Sequence, residues 1–333
     1  MVDTLVSAYS PLIFWVTLGI ILLRVLPEKT PYWMGRGLYW FGVPWQIFDL
    51  ARHSQLSGEI GMTPAITVVT LGVGLAIAWS VLMLLQRLNP PGGEKKILWL
   101  PSYDRYQYGS FIIAAMLGNT GFVGLGLLPS IIEPSAFSWA VFFSLTQNLI
   151  GTYFIGVLIA SHFGQAEVDT SLEQTPEDLR QARNRRLFKL LRDILTVPSL
   201  WAFGFGFFSR STVFPGPVET FASSSLMFVV PTSFLLMGLR LAKINGWSSL
   251  HSAMLPVGLK MILLPALVGV GTSFLGLKGD VRLGLVLMAG MPSAFASLIL
   301  AEEYDMNRDL AASSIALSTV VLLGMIPVWL WIF

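Results

Sequence analysis

The 333-residue sequence contains no cysteine. Disulfides, thiol nucleophiles and Cys-based metal centres are thereby excluded. Histidine is scarce, and His53, His162 and His251 are too scattered to match a metal-ligand spacing. No metal and no cofactor are expected. Charged residues make up only 12% of the chain, against about 25% in an ordinary soluble domain. The apolar runs hold no Asp pair, no Ser–His arrangement and no HExxH, so membrane-embedded hydrolysis lacks its residues and an enzyme is not expected. The short alternating segments of a transmembrane β-barrel are missing. The opening stretch, "MVDTLVSAYSP", has no basic region of the kind that begins a cleaved signal peptide.

What the sequence has is apolar length. Hydrophobic residues make up 54% of it, and the mean hydropathy is +0.69. Apolar runs of about twenty residues recur from end to end, which is the pattern of an all-α polytopic membrane protein. Ten spans are expected, at residues 9–26, 37–53, 66–88, 109–129, 137–161, 194–211, 218–242, 250–275, 283–302 and 310–333. Of the Lys and Arg residues, only Arg52, Arg210, Lys278 and Arg282 fall in the even connections, and Lys260 falls inside a span. All the others lie in the odd connections. The positive-inside rule puts those in the cytoplasm and both termini outside, as in a bacterial inner (plasma) membrane.

Residues 162–192 read as a cytoplasmic linker. In "QTPEDLRQARNRRLFKLLRD", Thr175 can cap a helix, with Pro176 and Asp178 in its first turn. Leu179, Leu187, Leu190 and Leu191 can share one face, so an amphipathic helix near the lipid headgroups is expected.

An internal repeat is visible. "SPLIFWVTLGIILLR" aligns with "VPSLWAFGFGFFSR", Pro11 with Pro198 and Gly19 with Gly206. "VPWQIFDLAR" aligns with "VPTSFLLMGLRLAK", Val43-Pro44 with Val230-Pro231. One offset serves all these pairs. The chain then divides into a first five-helix repeat (1–161), the linker and a second five-helix repeat (193–333). Five is odd, so the halves enter from opposite sides, the inverted plan of many secondary transporters.

Under that plan the fourth and ninth spans correspond, and both carry helix breakers at mid-membrane. The fourth holds Gly118, Asn119, Thr120 and Gly121; the ninth holds Gly290, Met291, Pro292 and Ser293. Glycine adds backbone freedom, and proline removes a donor and clashes with the preceding turn. Backbone groups freed at that depth cannot face lipid and must be buried or line a wet cavity. The two breaks are expected to cross. New helix N-termini near residues 121–122 and 293–294 would then point N–H groups at the crossing, a setting for a small anion. Close packing of small residues is the alternative use of such motifs. Lys260, well inside the eighth span, is a candidate anion contact or snorkels to the interface. Gln147 and Asn148 in the fifth span are candidates for interhelical hydrogen bonds or substrate contact. Asp49, near the outer end of the second span, is expected to form a local pair with Arg52, with a proton or cation site as the alternative.

"GNTGFVGLGLLP", "VPTSFLLMGLRLAK" and "MPSAFASLILAEEYDMNRDLAASSIALSTVVLLGMIPVWLWIF" resemble the auxin efflux carrier family, which includes the plant PIN-formed carriers. The resemblance implies ten spans in two inverted repeats, with crossed fourth and ninth helices. It also implies a carrier of small organic anions, auxin-like or carboxylate, and a crossover role for Asn119 and Pro292. Bile-acid sodium symporters share the general plan, and a sodium-coupled organic-anion symporter is the rival reading. The expected partners are the anion and membrane lipid. No nucleic-acid partner is expected, and a homodimer is left open.

Overall fold

The computed structural model describes residues 2–53, 58–89, 101, 103–164, 196, 198–242 and 250–333. The capping and leucine positions expected to build the linker helix lie outside the described residues. Among the described residues every regular element is helical. In chain order these are α1 (Val2–Leu22), α2 (Thr30–Gly37), α3 (Val43–His53), α4 (Thr63–Leu88) and α5 (Arg105–Met116). Then come α6 (Thr120–Ser130), α7 (Pro134–Phe163), α8 (Pro198–Phe208), α9 (Gly216–Ala242) and α10 (Leu250–Phe274). The last are α11 (Gly279–Ala289), α12 (Phe295–Glu303) and α13 (Arg308–Ile332).

Local chemistry sets several of the starts. Asp104 and Gln107 form a reciprocal capping box at α5, with the Gln107 N–H donating to Asp104 Oδ1 at 2.8 Å. The Leu310 N–H donates to Asn307 Oδ1, also at 2.8 Å, to cap α13. Each cap satisfies a backbone donor that the helix itself leaves unpaired. Proline stands in the first turn of α2, α4 and α7, where its missing N–H costs nothing.

Among the described residues, five helices are long and apolar enough to cross a bilayer: Ile60–Leu88, Pro134–Phe163, Gly216–Ala242, Leu250–Phe274 and Arg308–Ile332. They fall on the third, fifth, seventh, eighth and tenth expected spans. Of the other expected spans, the first holds α1, a helix of 21 residues, and three are visibly interrupted. A π turn at Leu38–Gly42 separates α2 from α3. The described part of α8 has 11 residues. The fourth and ninth segments are cut at the breaker residues, into α5 and α6 and into α11 and α12.

The helices pack in two groups. In one, α1 lies on α9, α8 on α3, and α3 on α9. In the other, α4, α5, α7 and α10–α13 surround the two breaks. Backbone-close crossings hold the first group. A Cβ on Gly19 of α1 would collide with the carbonyl of Leu235 in α9, and one on Gly206 of α8 with that of Phe48 in α3. At the far end of α3, Arg52 ties the group together. It forms an ion pair with Glu219 at 3.1 Å and donates to the backbone of Ser209 and Thr212. The structure thus gives Arg52 a carboxylate partner on α9.

Candidate functional site

The two interruptions meet. Leaving α5, the chain becomes extended at Leu117, and Gly118 pairs with Ser293 as an isolated antiparallel bridge. The Asn119 N–H donates to Pro292 O at 2.6 Å, and the Ala294 N–H donates to Leu117 O at 3.0 Å. Each break therefore satisfies the backbone of the other, which resolves the cost of unpaired amides in an apolar setting. Gly118 eases this approach. A Cβ there would lie 2.9 Å from Lys260 Nζ and 3.3 Å from Met291 O.

Side chains from neighbouring helices hold the bridge. Gln147 Nε2 donates to Gly118 O at 2.6 Å and to Thr120 Oγ1 at 3.2 Å. Ser293 Oγ donates to Ala114 O at 2.9 Å, and the Ser293 N–H donates to Ser318 Oγ of α13 at 3.0 Å. Lys260, fully buried, donates from Nζ to Ala289 O at 2.7 Å. Ala289 is the last residue of α11, so the lysine sits on that helix's carbonyl end, where a cation is favoured.

Beyond the bridge, α6 and α12 begin. Asn119 accepts from the Phe122 N–H at 3.4 Å as the N-cap of α6. The caps take some first-turn donors: the Phe122 N–H goes to Asn119 Oδ1 and the Ser297 N–H to Ala294 O. Both helix starts border a cavity of about 450 Å³ between the two helix groups. One wall carries Gly118, Asn119, Thr120, Gly121 and Phe122, then Asn148 and Tyr153 of α7, then Phe295 of α12. The other wall carries Arg36, Tyr39, Val43 and Ile47 from α2 to α3, and Arg240 of α9. Among the described residues the lining contains two arginines and no acidic residue. Tyr39 and Tyr153 join the walls, their hydroxyls 3.0 Å apart.

The expected site residues divide into two sets. Gly118, Asn119, Thr120, Gly121 and Asn148 line the cavity. Gln147, Lys260, Gly290, Met291, Pro292 and Ser293 are buried at or behind the bridge, outside that lining. Arg240, Tyr39, Tyr153 and Phe295 line the cavity without having been singled out in the sequence. Arg240 was counted there only among the charges of a connection. The described residues contain no group of three or more His, Asp or Glu side chains able to hold a metal.

Residues 95–330 match the family model for membrane transport protein. The chain belongs to this family, that of the auxin efflux carriers. Family members include an uncharacterized transporter of Methanothermobacter thermautotrophicus, 27% identical over 325 residues, covering 94% of this chain and 93% of the relative. An uncharacterized transporter of Methanocaldococcus jannaschii is 26% identical over 232 residues, 67% of this chain and 68% of the relative. A probable auxin efflux carrier component of Oryza sativa is 36% identical over 74 residues, 22% of this chain and 19% of the relative. Family and apolar helices together make this an integral membrane transporter, and both point to transport rather than catalysis.

Proposed function

We propose that the protein is a secondary carrier of small organic anions, auxin-like or carboxylate, working by alternating access with the crossed breaks as its substrate site. One observation carries this reading. The bridge between Gly118 and Ser293 sets the N-termini of α6 and α12 against a single cavity whose lining has arginines and no carboxylate. Orphan N–H groups and the helix dipoles favour a negative group there. Asn119, Thr120 and Asn148 add neutral hydrogen bonding, and the aromatic and aliphatic walls suit an organic body.

We further assign the chain ten spans in two inverted five-helix repeats, 1–161 and 193–333. Support comes from the first helix group: the contact of Gly19 with Leu235 and that of Gly206 with Phe48 are related by the same offset as the sequence repeat. We assign both termini to the non-cytoplasmic side of a bacterial inner (plasma) membrane, on the distribution of Lys and Arg. In that orientation Arg36 and Arg240 mark the cytoplasmic mouth of the cavity, and the conformation is inward-open.

The test is reconstitution in liposomes, with labelled carboxylates and indole acids screened with and without proton and sodium gradients. The expected result is saturable uptake of at least one anion, lost in Asn119→Ala while the variant remains folded. Full uptake by that variant would remove the crossing as the site, and flux without saturation would indicate a channel. Acceleration by a sodium gradient alone would favour the symporter reading.

A further inference from the structure

A proline within a helix has no N–H to give, and the loss falls on the carbonyl four residues earlier. Among the described residues, three such carbonyls are answered by a side chain from elsewhere in the fold. Tyr9 of α1 donates its hydroxyl to Leu323 O of α13 at 2.6 Å, and the residue four on from Leu323 is Pro327. Gln46 of α3 donates from Nε2 to Leu125 O of α6 at 3.4 Å, and the residue four on is Pro129. Tyr103 donates its hydroxyl to Ser252 O of α10 at 2.6 Å, and the residue four on is Pro256. The three differ in what they join. Tyr103 stands just before α5, so its bond lies within the helix group around the breaks. Tyr9 and Gln46 belong to the other group, and their bonds cross the seam. Leu125 lies beyond the crossing on α6, next to Gly126, which packs against Val230 and Phe234 of α9. Val43 and Ile47 of α3 line the cavity, whereas Gln46, 1% exposed, is buried outside the lining. Both cross-seam bonds thus sit on the closed side of the cavity.

We propose that Pro129 and Pro327 create two sockets in one helix group, and that Gln46 and Tyr9 of the other are latches that hold this face of the carrier shut; this rests on the alternating-access part of the carrier reading. A carbonyl freed by proline has no α-helical donor to fall back on. In an apolar seam its partner must come from across the seam. When the groups part on this face, water enters and takes over the acceptor. Each latch therefore favours the closed face by the net worth of one hydrogen bond, enough to bias two states without locking them. The proline is what makes the bond count: a carbonyl already paired within its own helix gains less from a second donor. The Tyr103 bond has the same chemistry but joins elements of one group, so it stabilises the fold without favouring either state.

The experiment needs no substrate. In the cysteine-free, full-length protein in liposomes, Val230→Cys reports the seal and Thr152→Cys the cavity wall, each introduced singly. Their rates with a charged thiol reagent are measured from either side of the membrane. Gln46→Met and Tyr9→Phe remove the donors and keep the bulk. Each should speed Val230→Cys, attacked through the closed face, by about three- to tenfold, the factor set by one net hydrogen bond. In the double variant the factors should multiply and Thr152→Cys should slow, because the two faces do not open together. Pro129→Ala restores a donor to Leu125 O, so in that background Gln46→Met should change the Val230→Cys rate by less than about twofold. Pro327→Ala should do the same for Tyr9→Phe. Tyr103→Phe should lower the melting temperature and leave both rates alone. A Val230→Cys rate unchanged by both latch variants overturns the proposal. A rise without slowing of Thr152→Cys in the double variant marks a seal that is merely loosened, and overturns it too. An undiminished effect of Gln46→Met in the Pro129→Ala background removes the socket. If the latch variants do not fold, Pro129→Ala and Pro327→Ala alone should shift both rates in the same directions by smaller factors, and no shift overturns the proposal. Gly126→Phe opens the seal by bulk. If it slows Thr152→Cys where the latch variants do not, the carrier reading stands without the latches; if it leaves Thr152→Cys unchanged, the two-state reading falls with them.

Discussion

Gln147 donates from one amide nitrogen to both Gly118 O and Thr120 Oγ1, and it is 2% exposed. Gly118 O is one of the carbonyls that the break takes out of the helix ladder, so this side chain replaces a backbone donor. Removing it leaves a buried acceptor unanswered, at a cost of about 1–3 kcal/mol. Gln147→Leu keeps the bulk and deletes the donor. It should lower the melting temperature in detergent by several degrees and weaken anion binding. Asn148→Leu, one residue on, should weaken binding with much less loss of stability, because Asn148 donates to Ser144 of the preceding turn, at O and at Oγ, and not to the bridge. Equal melting temperatures for Gln147→Leu and wild type would show that the bridge does not depend on this support. The neighbouring pair thus divides into a structural residue and a lining residue, although the sequence offered both alike as candidates for interhelical hydrogen bonds or substrate contact.

At the scale of elements, the breaks were readable because their cause is local. Gly118, Gly121, Gly290 and Pro292 weaken a helix wherever they stand, and the new helices begin at Thr120 and Phe295, within two residues of the expectation. The π turns were not readable. Besides the one that opens α6 at Thr120–Gly124, they fall at Leu38–Gly42, which carries Tyr39, at Gln147–Gly156, which carries Tyr153, and at Leu259–Leu263, which carries Lys260. A π turn inserts a residue and rotates the face that follows, and its place is decided by packing rather than by any residue type. Arg240 was hidden for a related reason: hydropathy locates the end of a span but not the face its last turn presents. The repeat makes a testable statement here. Gly19→Val and Gly206→Val should each be destabilised by about 1–3 kcal/mol or more, since either side chain would enter a partner's backbone. Gly72→Val, with nothing within 4 Å of its Cβ position, should melt like wild type. A loss in only one of the two crossings would break the correspondence between halves.

For the whole molecule, the proposed state is a cavity open on one side and shut on the other. Its lining includes residues 144–157 of α7, the end of α9 at Arg240 and the body of α12. Toward the opposite face the two helix groups are in contact. Val230 and Phe234 of α9 lie 3.5–3.6 Å from the Cβ position of Gly126, and Tyr9 donates to Leu323 O at 2.6 Å. The absence of cysteine turns this into a clean measurement, because a single introduced thiol is the only target. Thr152→Cys and Ile299→Cys, both on the cavity wall, should react with a charged thiol reagent applied from the cytoplasmic face and not from the other. Val213→Cys, 90% exposed in the connection between α8 and α9, should show the reverse and so report the orientation. A saturating transported anion should slow the reaction at Thr152→Cys, since ligand and reagent compete for one space. Thr152→Cys reacting faster from the side that reaches Val213→Cys would mean that the cavity opens outward and that the charge-based orientation and the inward-open state cannot both hold.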